Sequence, residues 1–550
     1  MRRAVSVLVA ALLPALLPAL LLPASSARAA GDCSGKVEPA TFMEIEDCDT
    51  PDRIIEKAAN VVPSKGQRAW QQREITAFTH FGVNTFTNRE WGSGAEDPKT
   101  FAPESGVDVA QWMDTYRAMG AELAMLTAKH HDGFNLYPTR YSPHSIKNSG
   151  YEGDLLRTYA TEARKRDMKV GVYLSPADGS EVPHAWHADW LEKLAAKQEA
   201  GEELTSVEKT ALEDGGPPSG LGRYGNGSAE TVRTIPTLAE GDDRRAKVAS
   251  GELPTFKIKA NDYDAYYLNQ VYEILTEYGP IDEFWLDGAN PWRDAGVEQK
   301  YNFRAYFELI HALSPDTVIF QGFKGIRWVG NEKGIARETE WSVTPHQVDP
   351  RENLAPLPND STDPDIGSRE KLLGEGVKYL QWYPAEADVS NRPGWFHHPD
   401  QQPKTSAELV DLYEKSVGRN APLLLNVPPA KDGRISDADV RELTAFGERV
   451  RAVYGENVLA GEGPQTFDRV RLAEDISRGQ RVEAFTVQAR DPATGAWRDI
   501  ASGTTIGAYR ILPLAEPVTA DALRVRVTES RATPHLKPVT AHLSTAGQGG

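Results

Sequence analysis

The chain has 550 residues, a formal charge of −18 at pH 7, 40% hydrophobic content, twelve tryptophans and two cysteines. So acidic a balance argues against nucleic acid or anionic membrane as the partner, since both require a basic footprint. The length exceeds what a single hydrophobic core serves, so two domains with small extensions are expected.

Met1-Arg2-Arg3, a Leu/Ala/Val-rich run to about Leu22 and the Ala27-Arg28-Ala29 cleavage pattern read as a secretory signal peptide over residues 1–29. Its removal takes away three arginines and no acids, so −18 becomes −21. No later stretch approaches the ~20 apolar residues of a membrane span. The protein is therefore expected to be secreted and extracellular, acting on a neutral substrate. A lipid anchor on Cys33 is not expected, because Gly31-Asp32 precedes it in place of a small apolar pair. Residues 30–64 read as an N-terminal extension carrying Cys33 and Cys48, for which the alternatives are a disulfide, expected in an oxidising compartment, and two free thiols.

From about Ile75 to Asp432, apolar strand-like runs alternate with amphipathic stretches, the rhythm of a parallel sheet with helices outside it. The strands expected are Ile75–Phe81, Glu122–Thr127, Lys169–Leu174, Ile281–Leu286, Thr317–Gln321, Glu338–Val343, Lys378–Tyr383 and Leu423–Val427. Helices fit between them, among them Asp108–Met119, Asp154–Arg166, Tyr263–Glu277, Gln299–Leu313, Ser406–Val417 and Asp437–Val450. Together they predict an α/β fold, a (β/α)8 barrel-like domain over 65–453. A charged, aperiodic segment at about 191–254 reads as an insertion after the third strand. Past Tyr454 the pattern turns to alternating apolar and polar residues, as in Gln480–Val487 and Leu523–Val527, which predicts a C-terminal antiparallel β-sandwich over 454–544. Phe467, Phe485 and Trp497 fit its small core, so a bracing role is favoured over sugar binding. Residues 545–550 are expected to be a disordered tail.

The chemistry centres on Phe284-Trp285-Leu286-Asp287-Gly288, a buried-type strand that stops on a carboxylate and a glycine. Side chains at the carboxyl ends of barrel strands face the mouth where barrel enzymes act. Glycoside cleavage needs two carboxyl groups, one to attack or assist at the anomeric carbon and one to protonate the departing oxygen. Asp287 suits the first role; capping of the next helix is the competing structural reading. Glu332, Glu338 and Glu340 are the candidates for the second, and spacing does not choose among them. His80 and the pair His130-His131 suit hydrogen bonding to sugar hydroxyls. Adjacent residues on an extended segment point to opposite sides, so both histidines face one ligand only if the chain turns there. No metal is expected, because these segments lack H-x-H or H-E-x-x-H spacing, and no cofactor is expected.

Several segments carry a resemblance to the α-L-fucosidases of glycoside hydrolase family 29, over roughly residues 65 to 450. They are Thr79–Gly82, Glu90-Trp91, Lys129-His130-His131-Asp132-Gly133-Phe134, Gly171–Pro176, Phe284–Gly288 and Leu424–Pro429. The resemblance implies a retaining mechanism with Asp287 as nucleophile, and His80, Glu90, Trp91, His130, His131, Tyr173 and Trp285 around the fucose. Val329–Gly334 and Asp388–Phe396 resemble the subgroup that prefers α-1,3 and α-1,4 linkages, which favours Glu332 as acid/base and Trp395 as a stacking wall. One departure stands out: where family members often carry Trp-Asp-Arg after the third strand, this chain has Ala177-Asp178-Gly179. The expected partner is a fucosylated oligosaccharide or glycan, with no nucleic acid and no membrane. The rival readings are a barrel glycosidase of another specificity, a sugar-binding protein with a degenerate barrel, and a metal-dependent hydrolase.

Overall fold

Eight short parallel strands make the central sheet: β1 (Ile75–Thr79), β2 (Leu123–Lys129), β3 (Lys169–Leu174), β4 (Glu283–Trp285), β5 (Val318–Phe320), β6 (Arg327–Trp328), β7 (Ala385–Ser390) and β8 (Leu423–Asn426). They appear in a computed structural model that describes Cys33, residues 35–181, 189–215, Tyr224, 228–352 and 363–544. The signal-peptide assignment and the tail at 545–550 lie outside the described residues. The strand order is β5-β4-β3-β2-β1-β8-β7-β6. A parallel bridge from Phe320 to Ile326 then brings the two outer strands together, with Ile326 N–H donating to the Ile319 carbonyl at 3.0 Å. The sheet thus curls into the expected (β/α)8 barrel.

The local sequence explains why the elements alternate. Leu123–Lys129 is buried along its whole length, as a parallel strand covered on both faces must be. The helix before it, Val109–Met119, starts at Asp108, whose carboxylate accepts the Gln111 N–H, and stops at Gly120 with φ 96°. Acidic cap and left-handed glycine are the standard start and stop. Helices Leu155–Lys165, Asp262–Glu277, Phe303–Leu313, Ser406–Ser416 and Asp437–Tyr454 complete the outer layer. No helix among the described residues is long and apolar enough to cross a membrane.

Two strands lie elsewhere than the sequence pattern placed them. The sixth barrel strand is Arg327–Trp328 rather than Glu338–Val343, and the seventh is Ala385–Ser390 rather than Lys378–Tyr383. Val343–His346 and Tyr379–Trp382 instead pair antiparallel, with Phe42–Glu44 of the N-terminal extension as the third strand. The reason is visible in β7, Ala-Glu-Ala-Asp-Val-Ser, which is wholly buried. Its inward-facing acids hide a core strand from any search for apolar runs, while the apolar Tyr-Leu-Gln-Trp beside it serves the outer sheet. Cys33 and Cys48 form a disulfide that closes the extension.

The C-terminal region holds two three-stranded antiparallel sheets, 465–472 with 510–520 and 540–542, and 482–490 with 497–503 and 523–530. Phe467, Val470, Phe485 and Val487 fill the space between them. Trp497 does not join this core; it is half-buried, with the Arg524 guanidinium 4.3 Å above its ring. The sandwich braces the barrel: Gln480 Nε2 donates to the Glu340 carbonyl at 3.0 Å, and the buried Arg531 lies 3.5 Å over Trp341.

Within the insertion, helices Trp190–Glu199 and Ser206–Asp214 pack against each other, and Thr231–Ile235 pairs with Phe256–Ala260 as a hairpin. That second hairpin strand carries the excursion a few residues past its expected end.

Candidate active site

Strand ends and the loops that follow them converge on Asp287, two residues beyond β4. Its side chain keeps 25% of its surface open. Tyr173 Oη, from β3, donates to Asp287 Oδ2 at 2.9 Å. His131 Nε2 faces the same oxygen at 3.3 Å, and the Ala289 N–H donates to Oδ1 at 2.9 Å. Burial opposes ionisation of this carboxyl, but His131, the Tyr173 hydroxyl and the Ala289 amide outweigh it and hold the group below the ordinary aspartate value. The result is a carboxylate that stays charged although most of its side-chain surface is covered.

The chain does turn at the histidine pair. Lys129 ends β2, a turn begins at His131, and Gly133 takes φ 81°. The two rings consequently lie 4.4 Å apart on one side, with His130 stacked on Tyr173 at 5.8 Å. His131 Nδ1 meets Ser175 Oγ at 2.7 Å. A proton on Nε2, facing Asp287, leaves Nδ1 to accept from that hydroxyl. His80, at the end of β1, pairs its Nδ1 with Asn426 Oδ1 at 2.9 Å. Asn426 Nδ2 donates to Ser390 Oγ at 2.9 Å and to the Trp395 carbonyl at 2.8 Å. Those two acceptors fix the amide with its oxygen toward His80, so Nδ1 carries the proton and Nε2 is left as an acceptor. Burial lowers His80 to about 4 and pushes His130 well below the usual histidine value, so both rings are neutral at physiological pH.

Three consecutive residues tie the rim together. Arg89 forms a two-pronged pair with Asp214 at 3.1 and 3.0 Å. Glu90 accepts from the Trp395 N–H at 2.7 Å, the Phe396 N–H at 3.2 Å and His398 Nε2 at 2.5 Å. Trp91 stacks on His131 with centroids 4.1 Å apart and planes 10° apart. Of the residues expected around the sugar, Glu90 is thus held by the loop 394–398. Trp285 sits at the floor, 7% exposed, between Tyr173 and Phe320, with centroid distances of 5.2 and 3.7 Å. Trp395 leans over His80 at 5.1 Å.

The three glutamates now separate. Glu340 is buried in ion pairs with Arg327 and Arg337. Glu338 points to the sandwich side, paired with Arg419 and Arg510. Glu332 alone of the three meets the aromatic wall, accepting from Trp395 Nε1 at 3.4 Å. Its side chain is open to solvent on the rim, yet desolvation on its inner side, with the charges of Asp287 and Glu90, raises its pKa. Its loop is pinned to β7 by a bridge from Lys333 to Val389 and by the Gly334 N–H to the Asp388 carbonyl at 3.0 Å. Carboxyls with pKa values pushed apart are the usual division into base and acid.

Sequence reasoning named no role for Asn426, Ser175, His398 or Asp388. Asn426 had a signal, since it ends an apolar run at the barrel mouth just as Asp287 does. The Ala177-Asp178-Gly179 departure turns out to be scaffold: Asp178 is buried and accepts from Lys129 Nζ at 2.9 Å and Tyr266 Oη at 3.0 Å, and the Gly179 N–H donates to the His131 carbonyl at 2.6 Å.

The profile of the family described as alpha-L-fucosidase matches residues 56–456. Alpha-L-fucosidase 1 of Arabidopsis thaliana is 30% identical over 524 residues, covering 86% of this chain and 86% of that one. Among solved structures, a candidate alpha-L-fucosidase from Bacteroides ovatus is 35% identical with a TM-score of 0.71, covering 92% of this chain and 78% of that one. A Ruminococcus gnavus GH29 fucosidase in complex with fucose is 26% identical with a TM-score of 0.66, covering 88% and 95%.

Proposed function

This chain belongs to the α-L-fucosidase family, and from that premise we propose a secreted, retaining exo-glycosidase that removes terminal α-L-fucose, preferring α-1,3 and α-1,4 linkages. The observation that carries the reading is the opposed pair of carboxyls on one rim: Asp287, whose pKa His131, Tyr173 and the Ala289 amide hold down, and Glu332 beside Trp395, whose pKa burial and the charges of Asp287 and Glu90 push up.

In the first step an Asp287 oxygen attacks the anomeric carbon, the glycosidic C–O bond breaks, and the Glu332 proton passes to the departing oxygen. A covalent fucosyl-enzyme results. In the second step Glu332, now a carboxylate, takes a proton from water, whose oxygen attacks the same carbon and releases Asp287. Two inversions give net retention. Neutral His80 and His130 offer hydrogen bonds to sugar hydroxyls without a competing charge, and the rings of Trp91 and Trp395 supply apolar walls. The linkage preference rests on the likeness of Val329–Gly334 and Asp388–Phe396 to that subgroup. Export rests on the leader-like residues 1–29 and on the Cys33–Cys48 disulfide.

The test is fucose release from a Lewis-type trisaccharide and from an aryl α-L-fucoside, with the anomer formed first followed by NMR. Initial release of α-L-fucose, abolished in Asp287→Ala, supports the reading. Initial β-fucose would replace the retaining mechanism with an inverting one, and no release from either substrate would sink the assignment.

A further inference from the structure

Helix Ser206–Asp214 of the insertion meets the rim through one face and through Glu213, which pairs with Arg89 at 2.9 Å. The helix is well built on its own terms: Thr205 and Glu208 form a reciprocal cap, and Lys197 Nζ of the neighbouring helix binds Glu208 at 3.0 Å. Its residues at positions i, i+3, i+4 and i+7 share one side, and each of the four has a different rim partner. Val207 packs on the cluster of Ala177, Trp292 and Val297, which follow β3 and β4. Thr210, 8% exposed, donates its hydroxyl to the Trp91 carbonyl at 2.9 Å. Ala211 packs with Trp190 and with Ala295 from the loop after Asp287. Asp214 holds Arg89.

We propose that helix Ser206–Asp214 is a strut for the fucose end of the pocket, and that Thr210 is a positioning residue acting through Trp91. This rests on the fucosidase reading above. The path is short and continuous: Thr210 fixes the Trp91 backbone, the Trp91 ring lies flat on His131, and His131 faces the Asp287 oxygen. An element inserted far along the chain thereby sets the wall against which the sugar ring and the attacking carboxylate are aligned. Its contacts run to the loop bearing Trp91 and to the segments after β3 and β4, whereas the loop that carries Glu332 is pinned to β7. The strut therefore governs recognition of fucose itself and is indifferent to the group it is attached to.

Thr210→Val keeps the shape and removes the donor. The expected result is a rise in KM of about 3- to 10-fold, the weight of one hydrogen bond, with a smaller change in kcat, equal on the aryl fucoside and the branched oligosaccharide. Thr210→Ser restores the wild-type value. In a Trp91→Ala background Thr210→Val adds nothing, because a residue acting through Trp91 has no effect once Trp91 is gone. A readout independent of turnover accompanies these: in protein labelled with 5-fluorotryptophan, the 19F resonance assigned to Trp91 by its loss in Trp91→Phe shifts in Thr210→Val and returns in Thr210→Ser. An unmoved Trp91 resonance overturns the strut whether or not the enzyme turns over. Independent, additive losses in the double variant, or a KM change confined to the branched substrate, overturn it as well. If wild type releases no fucose while the Trp91 resonance moves, the strut stands and the fucosidase reading fails.

Discussion

Tyr173 donates its single hydroxyl proton to Asp287 Oδ2 at 2.9 Å from a ring 1% exposed. A buried donor aimed at a carboxylate stabilises the charged form specifically, since it has no water to fall back on. Asp287 is thus kept ionised by position as well as by chemistry.

Removing that donor should be visible in the pH profile. Asp287 has its pKa depressed in the folded enzyme, so activity is present above that pKa and lost as pH falls through it. Tyr173→Phe removes a hydrogen bond to a charged group, worth about 1.5–3 kcal/mol, and so moves the acid limb of kcat/KM upward by about one to two pH units. A pH-rate profile on the aryl fucoside measures it. An acid limb that stays in place would assign that limb to another group.

Glu332→Gln should separate substrates by their leaving groups. A protonating acid contributes about 10²–10⁴-fold, but only where the leaving oxygen needs a proton. The variant is expected to lose that factor on the oligosaccharide and far less on a nitrophenyl fucoside, and to lose the alkaline limb of its pH profile. Equal losses on both substrates would return Glu332 to a merely structural place on the rim.

Gly394→Ala tests whether Glu90 works by holding the Trp395 loop. A Cβ at Gly394 would run into Glu90 Oε1 and lie 2.9 Å from His398 Cδ2. The bonds from Trp395 N–H and Phe396 N–H to Glu90 cannot all survive such a displacement. KM for fucosides is expected to rise about tenfold or more, since at least one bond to a charged group is lost. Wild-type KM in this variant would show that the loop's position is unimportant.

The barrel interior predicts a pH-dependent stability. Glu283 and Glu386 are fully buried, accepting from Trp70 Nε1 at 2.8 Å and Trp285 Nε1 at 3.0 Å respectively. Burial raises Glu283 to about 7, and burial together with Glu283 raises Glu386 well above the ordinary value. Groups whose folded pKa exceeds the unfolded value disfavour folding once they ionise. The fold should therefore lose stability as pH climbs from about 4.5, the ordinary glutamate value, through 7. Glu386→Gln, nearly isosteric, should flatten this decline and melt higher than wild type at pH 8, with little difference at pH 4.5. Parallel melting curves across that range would remove the carboxyl pair as the cause.

How much could be read from the sequence differed from residue to residue. The barrel was legible because Leu123–Lys129, Lys169–Leu174 and Leu423–Asn426 are apolar runs ending at polar groups, and a strand buried on both faces has little choice in composition. Asp287 and the histidine pair were legible for the same reason: reactive side chains after such runs stand at the mouth. The sixth and seventh strands were not, because Arg327, Glu386 and Asp388 point ionisable side chains into a core whose partners, Glu340, Trp285 and Trp328, lie 13, 101 and 60 residues away. A buried polar side chain is acceptable only when it is hydrogen-bonded or paired, and such bonds across the barrel leave no trace in local composition.

What the sequence determined by itself, then, was the rhythm of elements and the residue types delivered to the rim, since these follow from short-range periodicity and from covalent order. What only the tertiary structure decided was which of Glu332, Glu338 and Glu340 stands beside the aromatic wall, that Glu90 is fastened to the Trp395 loop, and that the insertion returns to hold Trp91 through Thr210. Each of these depends on hydrogen bonds and ion pairs a few ångströms long between segments far apart in the chain. Such contacts are fixed only when the barrel closes.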